Sequence, residues 1–136
     1  MTRGQIAIVV KDGLITSTEF NGDMYMSTKK WKGRGRLVVN ALKRTTDIAT
    51  YNYEVAKFNK ENHHYDDERL TYKHNGDDML DMRKQTYYEK WFSDYVYLKN
   101  LRNEPITITD YYGKKVELQP QEIGVFNFGE LELKAK

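Results

Sequence analysis

The first twenty residues hold the feature that most narrows what this chain can fold into. Ile6-Ala7-Ile8-Val9-Val10 is an unbroken apolar run, Asp12-Gly13 follows it, and Leu14-Ile15-Thr16-Ser17-Thr18-Glu19-Phe20 is a second run rich in β-branched residues. An aspartate-glycine pair between two such runs is the chemistry of a tight hairpin, because both residues tolerate the positive φ values a short turn demands. The pattern predicts an N-terminal hairpin seated in the core. Thr2 and Arg3 are then held beside the sheet rather than left to fray.

A core built on that hairpin has limited apolar material to draw on. Only 39% of the 136 residues are hydrophobic and the mean hydropathy is -0.83, so much of the buried area must come from 11 Tyr, 5 Phe and 2 Trp. Large rings bury well beneath a polar tip, and a small core of this kind is often completed by a partner subunit, which predicts a homo-oligomer. There is no cysteine, which excludes disulfides, thiolate metal sites and cysteine nucleophiles and fits a reducing, cytoplasmic location. Ile6 to Val10 is far too short for a membrane span or a signal-peptide apolar region, so no membrane association is expected.

Along the chain, Asn21-Gly22-Asp23 marks a turn, and Leu37 to Arg44 reads as a short helix whose cationic last turn suits the macrodipole. Thr46-Asp47 supplies an N-cap for a second helix, with Ile48, Tyr51, Val55 and Phe58 spaced along one face. Residues 59–90 are less regular and acid-rich, and Asn75-Gly76 predicts a protruding hairpin or an ordered excursion there. From Trp91 onward, Tyr95 to Leu101, Ile106 to Thr109, Val116 to Leu118 and Ile123 to Phe128 read as an antiparallel meander, broken by turns at Gly113 and Pro120. With β structure at both ends and two central helices, the class is α+β in a single domain spanning 1–136.

Net charge is +2, but the first fifty residues carry nine Lys and Arg against four Asp and Glu. The excess concentrates in Lys29-Lys30-Trp31-Lys32-Gly33-Arg34-Gly35-Arg36, five cations and a tryptophan at the mouth of the first expected helix. Backbone N–H groups at a helix start and cationic side chains suit phosphate, and an indole face suits a base. Lys32, Arg34 and Arg36 are therefore the candidates for phosphate and Trp31 for stacking, although the glycine spacing of a P-loop or a dinucleotide fingerprint is absent. Tyr111-Tyr112, in an expected hairpin loop, is the candidate interface, since adjacent residues on a strand or tight turn cannot both point inward. Tyr95 and Tyr97 share a face and are expected in the core.

Thr2 offers a different chemistry. Removal of the initiator methionine would leave a free amine beside a hydroxyl, the self-activating pair of an N-terminal nucleophile. The stretch from Thr2 to Glu19 resembles the opening of proteasome-type subunits, which also use a carboxylate and a lysine; Glu19 and one of Lys29, Lys30 or Lys32 are offered for those roles. His63-His64-Tyr65-Asp66-Asp67 and His74 have suitable atom types for a divalent ion but lack a ligand spacing, so no metal and no cofactor is assigned.

The order Thr2-Arg3, Ile6-Ala7, Phe20-Asn21-Gly22-Asp23-Met24-Tyr25, Arg36 to Leu42 and Tyr95-Val96-Tyr97 resembles a group of small phage and prophage proteins. That resemblance implies an accessory protein acting by non-catalytic binding in the bacterial host cytoplasm, as an anti-defence or host-takeover inhibitor. Three readings follow: sequestration of a nucleotide or nucleic-acid phosphate at Trp31 to Arg36, an amidohydrolase using Thr2, and an inhibitor docking on a host protein through tyrosine-rich loops.

Overall fold

A computed structural model describes residues 2–11, 14–62, 70–75, 80–84 and 94–136. The expected hairpin is present: β1 (Gly4–Val9) pairs antiparallel with β2 (Leu14–Phe20), placing Ile6 opposite Thr18 and Ile8 opposite Thr16. Two helices follow, α1 (Gly35–Lys43) and α2 (Ile48–Glu61). The remaining strands are β3 (Leu70–Asn75), β4 (Tyr95–Asn100), β5 (Ile106–Thr109), β6 (Lys115–Leu118), β7 (Ile123–Asn127) and β8 (Glu130–Ala135).

Six strands form one sheet in the order β3-β2-β1-β4-β7-β8, while β5 and β6 form a separate antiparallel pair. The protein is therefore α+β, with an N-terminal hairpin and two helices as expected. Two details go beyond the sequence reading. β4 lies parallel to β1, with Tyr97 opposite Ile6, so the C-terminal strands join the hairpin directly. The meander is also divided: β5 and β6 leave the main sheet, and β7 returns to pair with β4.

This arrangement covers the sheet on both sides, and every residue of β1 and β4 is buried. Strands buried on two faces carry near-continuous apolar runs rather than alternation, which accounts for Ile6 to Val9. On one face Ile6, Ile8, Phe20, Tyr97 and Val125 meet Val38, Leu42, Tyr51 and Phe58 of the helices. On the other, Ala7, Val9, Leu98 and Phe126 meet Ile106, Ile108, Val116 and Leu118, together with Leu80 and Met82. Each fully buried side chain of this size contributes about 1.5–3 kcal/mol.

The helices are tied to the sheet by buried polar groups. The Tyr51 hydroxyl donates to the Ile6 carbonyl at 2.6 Å and lies 2.8 Å from the Thr18 hydroxyl, while Lys99 Nζ donates to the Leu42 and Thr45 carbonyls at 2.8 and 2.6 Å. The Leu42 carbonyl lies in the last turn of α1 and that of Thr45 just past its C-cap Arg44, where a cation complements the helix macrodipole.

Asp47 is the N-cap of α2 in a reciprocal box with Thr50, as the sequence indicates. Ile48, expected on the buried face, is 40% exposed, because the helix meets the core from Tyr51 onward through Tyr51, Val55 and Phe58. The remaining inward position, Glu54, is neutralised by a two-pronged bond from Arg44 at 2.7 and 3.1 Å. Within 59–90, β3 pairs antiparallel with β2 at the edge of the sheet. The Gly76 turn, His63 to Asp67 and the Tyr87-Tyr88 doublet lie outside the described residues.

Candidate functional site

The segment between β2 and α1 is a loop organised by its own backbone. At its foot Gly22 and Met24 N–H groups donate to the Thr2 carbonyl, Arg34 N–H donates to Asp23 O at 2.7 Å, and Gly35 N–H to Tyr25 O at 3.1 Å. Higher up, the Ser27 hydroxyl bridges Gly33, bonding its N–H and its carbonyl, each at 3.1 Å. At the tip Thr28 Oγ1 accepts from the N–H groups of Lys30 and Trp31, and Thr28 N–H donates to Trp31 O at 2.8 Å. A threonine hydroxyl that closes a turn in this way fixes it without help from packing.

The product is an ordered turn carrying an exposed aromatic. Trp31 is 60% exposed, and Lys30 Nζ stands 5.6 Å from its ring centroid. Lys29, Lys32 and Arg36 are also exposed.

Arg34, expected to meet phosphate, faces the other way. It is buried, with Nε and Nη2 on the Gly22 carbonyl, Nη2 also 2.9 Å from Asn21 O, Nη1 2.5 Å from Asn62 O, and its guanidinium 5.2 Å from the Phe58 ring centroid. Those carbonyls have left the sheet or ended α2, and a guanidinium with five donors satisfies several at once. Arg34 is thus the internal fastening of the loop, and Trp31, Lys32 and Arg36 are the members of the expected set that reach solvent. The glycines serve packing too: a Cβ on Gly33 would collide with Tyr25 O, and one on Gly35 with the Tyr97 hydroxyl.

The start of α1 adds to the local field. Arg34 as N-cap makes no side-chain capping bond, the first turn contains no acid, and Arg36 sits there. A cation at the positive end of a helix is unfavourable by itself, so the spot favours an approaching anion.

Tyr111 and Tyr112 occupy the loop joining β5 to β6, 54% and 70% exposed, with rings edge to face at 5.6 Å. The buried Asp110 carboxylate holds the loop by accepting from Tyr112 and Lys114 N–H, both at 2.8 Å. Tyr111 N–H donates to Gly129 O at 2.9 Å, which brings this loop against the β7–β8 turn. That turn presents Phe128, which the sequence pattern places at the end of a strand: it is 59% exposed, at φ 49 beside Gly129 at φ 78. Phe-Gly between two strands was the available signal, obscured because phenylalanine is rare where φ is positive. Tyr95 and Tyr97 are buried and stacked in the core, as expected.

Glu19, offered as a catalytic carboxylate, is buried and ion-paired with Arg3, with Gln5 Nε2 3.5 Å away. Thr2 is engaged through its carbonyl at the foot of the loop, whereas Lys29, Lys30 and Lys32 lie on the loop's exposed tip. Among the described residues no group of three or more His, Asp or Glu is placed to hold a metal ion, and no helix is long and apolar enough to cross a membrane. Comparisons with known protein families, curated proteins and solved structures gave no match to this chain.

Proposed function

We propose that this protein acts by non-catalytic binding of a nucleotide-type ligand at the Trp31 turn, with Lys32 and Arg36 meeting phosphate. The observation that carries this reading is the exposed indole on a turn already closed by Thr28 and Ser27. Ordering the turn beforehand lowers the entropy lost on binding, and an exposed tryptophan contributes nothing comparable to folding. The resemblance to phage proteins supports placing such binding in anti-defence or host takeover, where sequestration alone suffices.

A thermal-shift screen against mono-, di- and cyclic nucleotides tests it. A ligand at about a hundredfold over its Kd raises stability by roughly 2.7 kcal/mol through mass action. The shift is expected to vanish in Trp31→Ala and to shrink in Arg36→Ala and Lys32→Ala. A shift unchanged by all three substitutions would refute the site.

A second reading rests on the other aromatic surface. Tyr111, Tyr112 and Phe128 are brought together by the Tyr111–Gly129 bond, and Phe128 stands in a backbone conformation that its side chain disfavours. Strain of this kind concentrates where a side chain is displayed for contact, which supports docking on a host protein. Recovery of a stoichiometric host protein by the wild-type chain, lost in Phe128→Asn and Tyr112→Ala, is the expected result.

A further inference from the structure

We propose that the ligand of the Trp31 site is a single-stranded polynucleotide, taken by a cationic track that runs from the turn along the outer side of the two helices. This inference rests on the binding reading above and extends it from one nucleotide to several.

The track follows from where the charges stand. Residues 28–62, the turn and both helices, hold nine Lys and Arg against three Asp and Glu. Of the nine, only Arg34 is buried. Of the three acids, Asp47 is the α2 cap and Glu54 is bonded to Arg44. The remaining acid, Glu61, adds its negative field to the Arg44 guanidinium. The surface is therefore net cationic after its internal pairings are counted.

The charges are also aligned. Arg36 and Lys43 recur at helical spacing on the exposed side of α1 with Asn40 between them, and Arg44, bonded to Glu54, ends the row. A groove between the helices lies beside them, its charged lining balanced between Arg44 and Lys57 on one side and Glu54 and Glu61 on the other. Leu37 and Asn62 line its end where the Arg34–Asn62 bond holds the start of α1 against the end of α2. From Arg36 to Arg44 the helix rises about 12 Å, room for about three stacked nucleotides at 3.4 Å per strand. Leu37, 46% exposed at the groove mouth, gives a second apolar contact for a base beyond Trp31. Exposed cations flanking a groove, together with an exposed aromatic, are the elements of a single-strand binding surface.

Fluorescence anisotropy with dye-labelled oligothymidylates and oligouridylates, from dinucleotide to dodecanucleotide, across a salt series tests the proposal. Affinity is expected to rise with length, with a log Kd against log salt slope that grows to the equivalent of about three phosphates. Arg36→Ala, Lys43→Ala and Lys57→Ala should each reduce that slope by about 0.7 and weaken all sequences alike, while Glu61→Gln tightens long oligomers. The thymidine and uridine series together distinguish a DNA from an RNA ligand.

Equal affinity for dinucleotide and dodecanucleotide, both lost in Trp31→Ala, would overturn the track and leave the single-nucleotide reading standing. Tighter binding to duplex than to single strands would also overturn it. Absence of binding to every oligomer, together with no thermal shift from any nucleotide, would remove both readings.

Discussion

The Arg34 guanidinium donates to the Asn62 carbonyl at 2.5 Å, so a side chain at the start of α1 closes the last turn of α2. The same group holds the carbonyls of Asn21 and Gly22, which makes the loop and both helices one mechanical unit. Arg34 and Arg36, two residues apart in the same basic run, therefore do opposite work.

Arg34→Ala is expected to destabilise the protein by about 2–4 kcal/mol, since it orphans several carbonyls and removes packing against Phe58. Arg36→Ala, at an exposed position, should stay within about 0.5 kcal/mol of wild type while weakening ligand binding. Urea denaturation beside a binding titration separates the two effects. Equal destabilisation by both variants would contradict the assignment.

The two most deeply buried phenols set an alkaline limit. Burial raises the Tyr51 and Tyr97 hydroxyls well above their ordinary value near 10. Both keep their protons in the folded state after the unfolded chain has lost them, so their stabilisation is complete below pH 10 and is lost as pH rises through the folded values. Two such groups give a fall of about 2.7 kcal/mol per pH unit above 10. Tyr51→Phe should roughly halve the slope in pH-dependent denaturation, although it also removes the bond to Ile6.

Lys99 works in the opposite sense. Burial lowers its pKa, so between that lowered value and 10.5 the unfolded chain binds more protons and stability rises with pH. Lys99→Met removes this rising component and the ammonium's bonds to the Leu42 and Thr45 carbonyls, of which Leu42 O keeps the Thr45 N–H. A net loss of about 1–3 kcal/mol is expected at neutral pH by calorimetry. A variant as stable as wild type would mean that the cost of burying the ammonium cancels its two bonds.

Phe128→Asn should stabilise the fold by about 1 kcal/mol. Asparagine tolerates the positive φ, and Asn-Gly is the favoured pair for a two-residue hairpin of this kind. A Tm raised by several degrees, accompanied by loss of a protein partner, is the expected signature of a residue kept for contact at the expense of stability.

Some of this was readable from short segments alone. The β1–β2 hairpin announces itself through two β-branched runs around Asp12-Gly13, and α2 through Asp47 and the spacing of Tyr51, Val55 and Phe58. The loop's outward cations and Trp31 were legible as composition, but their division was not. Lys32, Arg34 and Arg36 look alike in a sequence, and only the placement of the Asn21, Gly22 and Asn62 carbonyls draws Arg34 inward. Phe128 was hidden for a similar reason, since its exposure depends on a turn conformation that its side chain disfavours.

Local elements are encoded in short stretches of the chain, because turn residues, helix caps and apolar spacing act over a few neighbouring positions. Long-range packing sets the parallel pairing of β4 with β1, the cover of the second face by β5 and β6, and the inward turn of Lys99 and Arg34 but not of Arg36. Those outcomes depend on buried carbonyls and apolar faces that come together only after distant segments meet. A polar group's orientation is set by the partner it finds there, not by its neighbours along the chain.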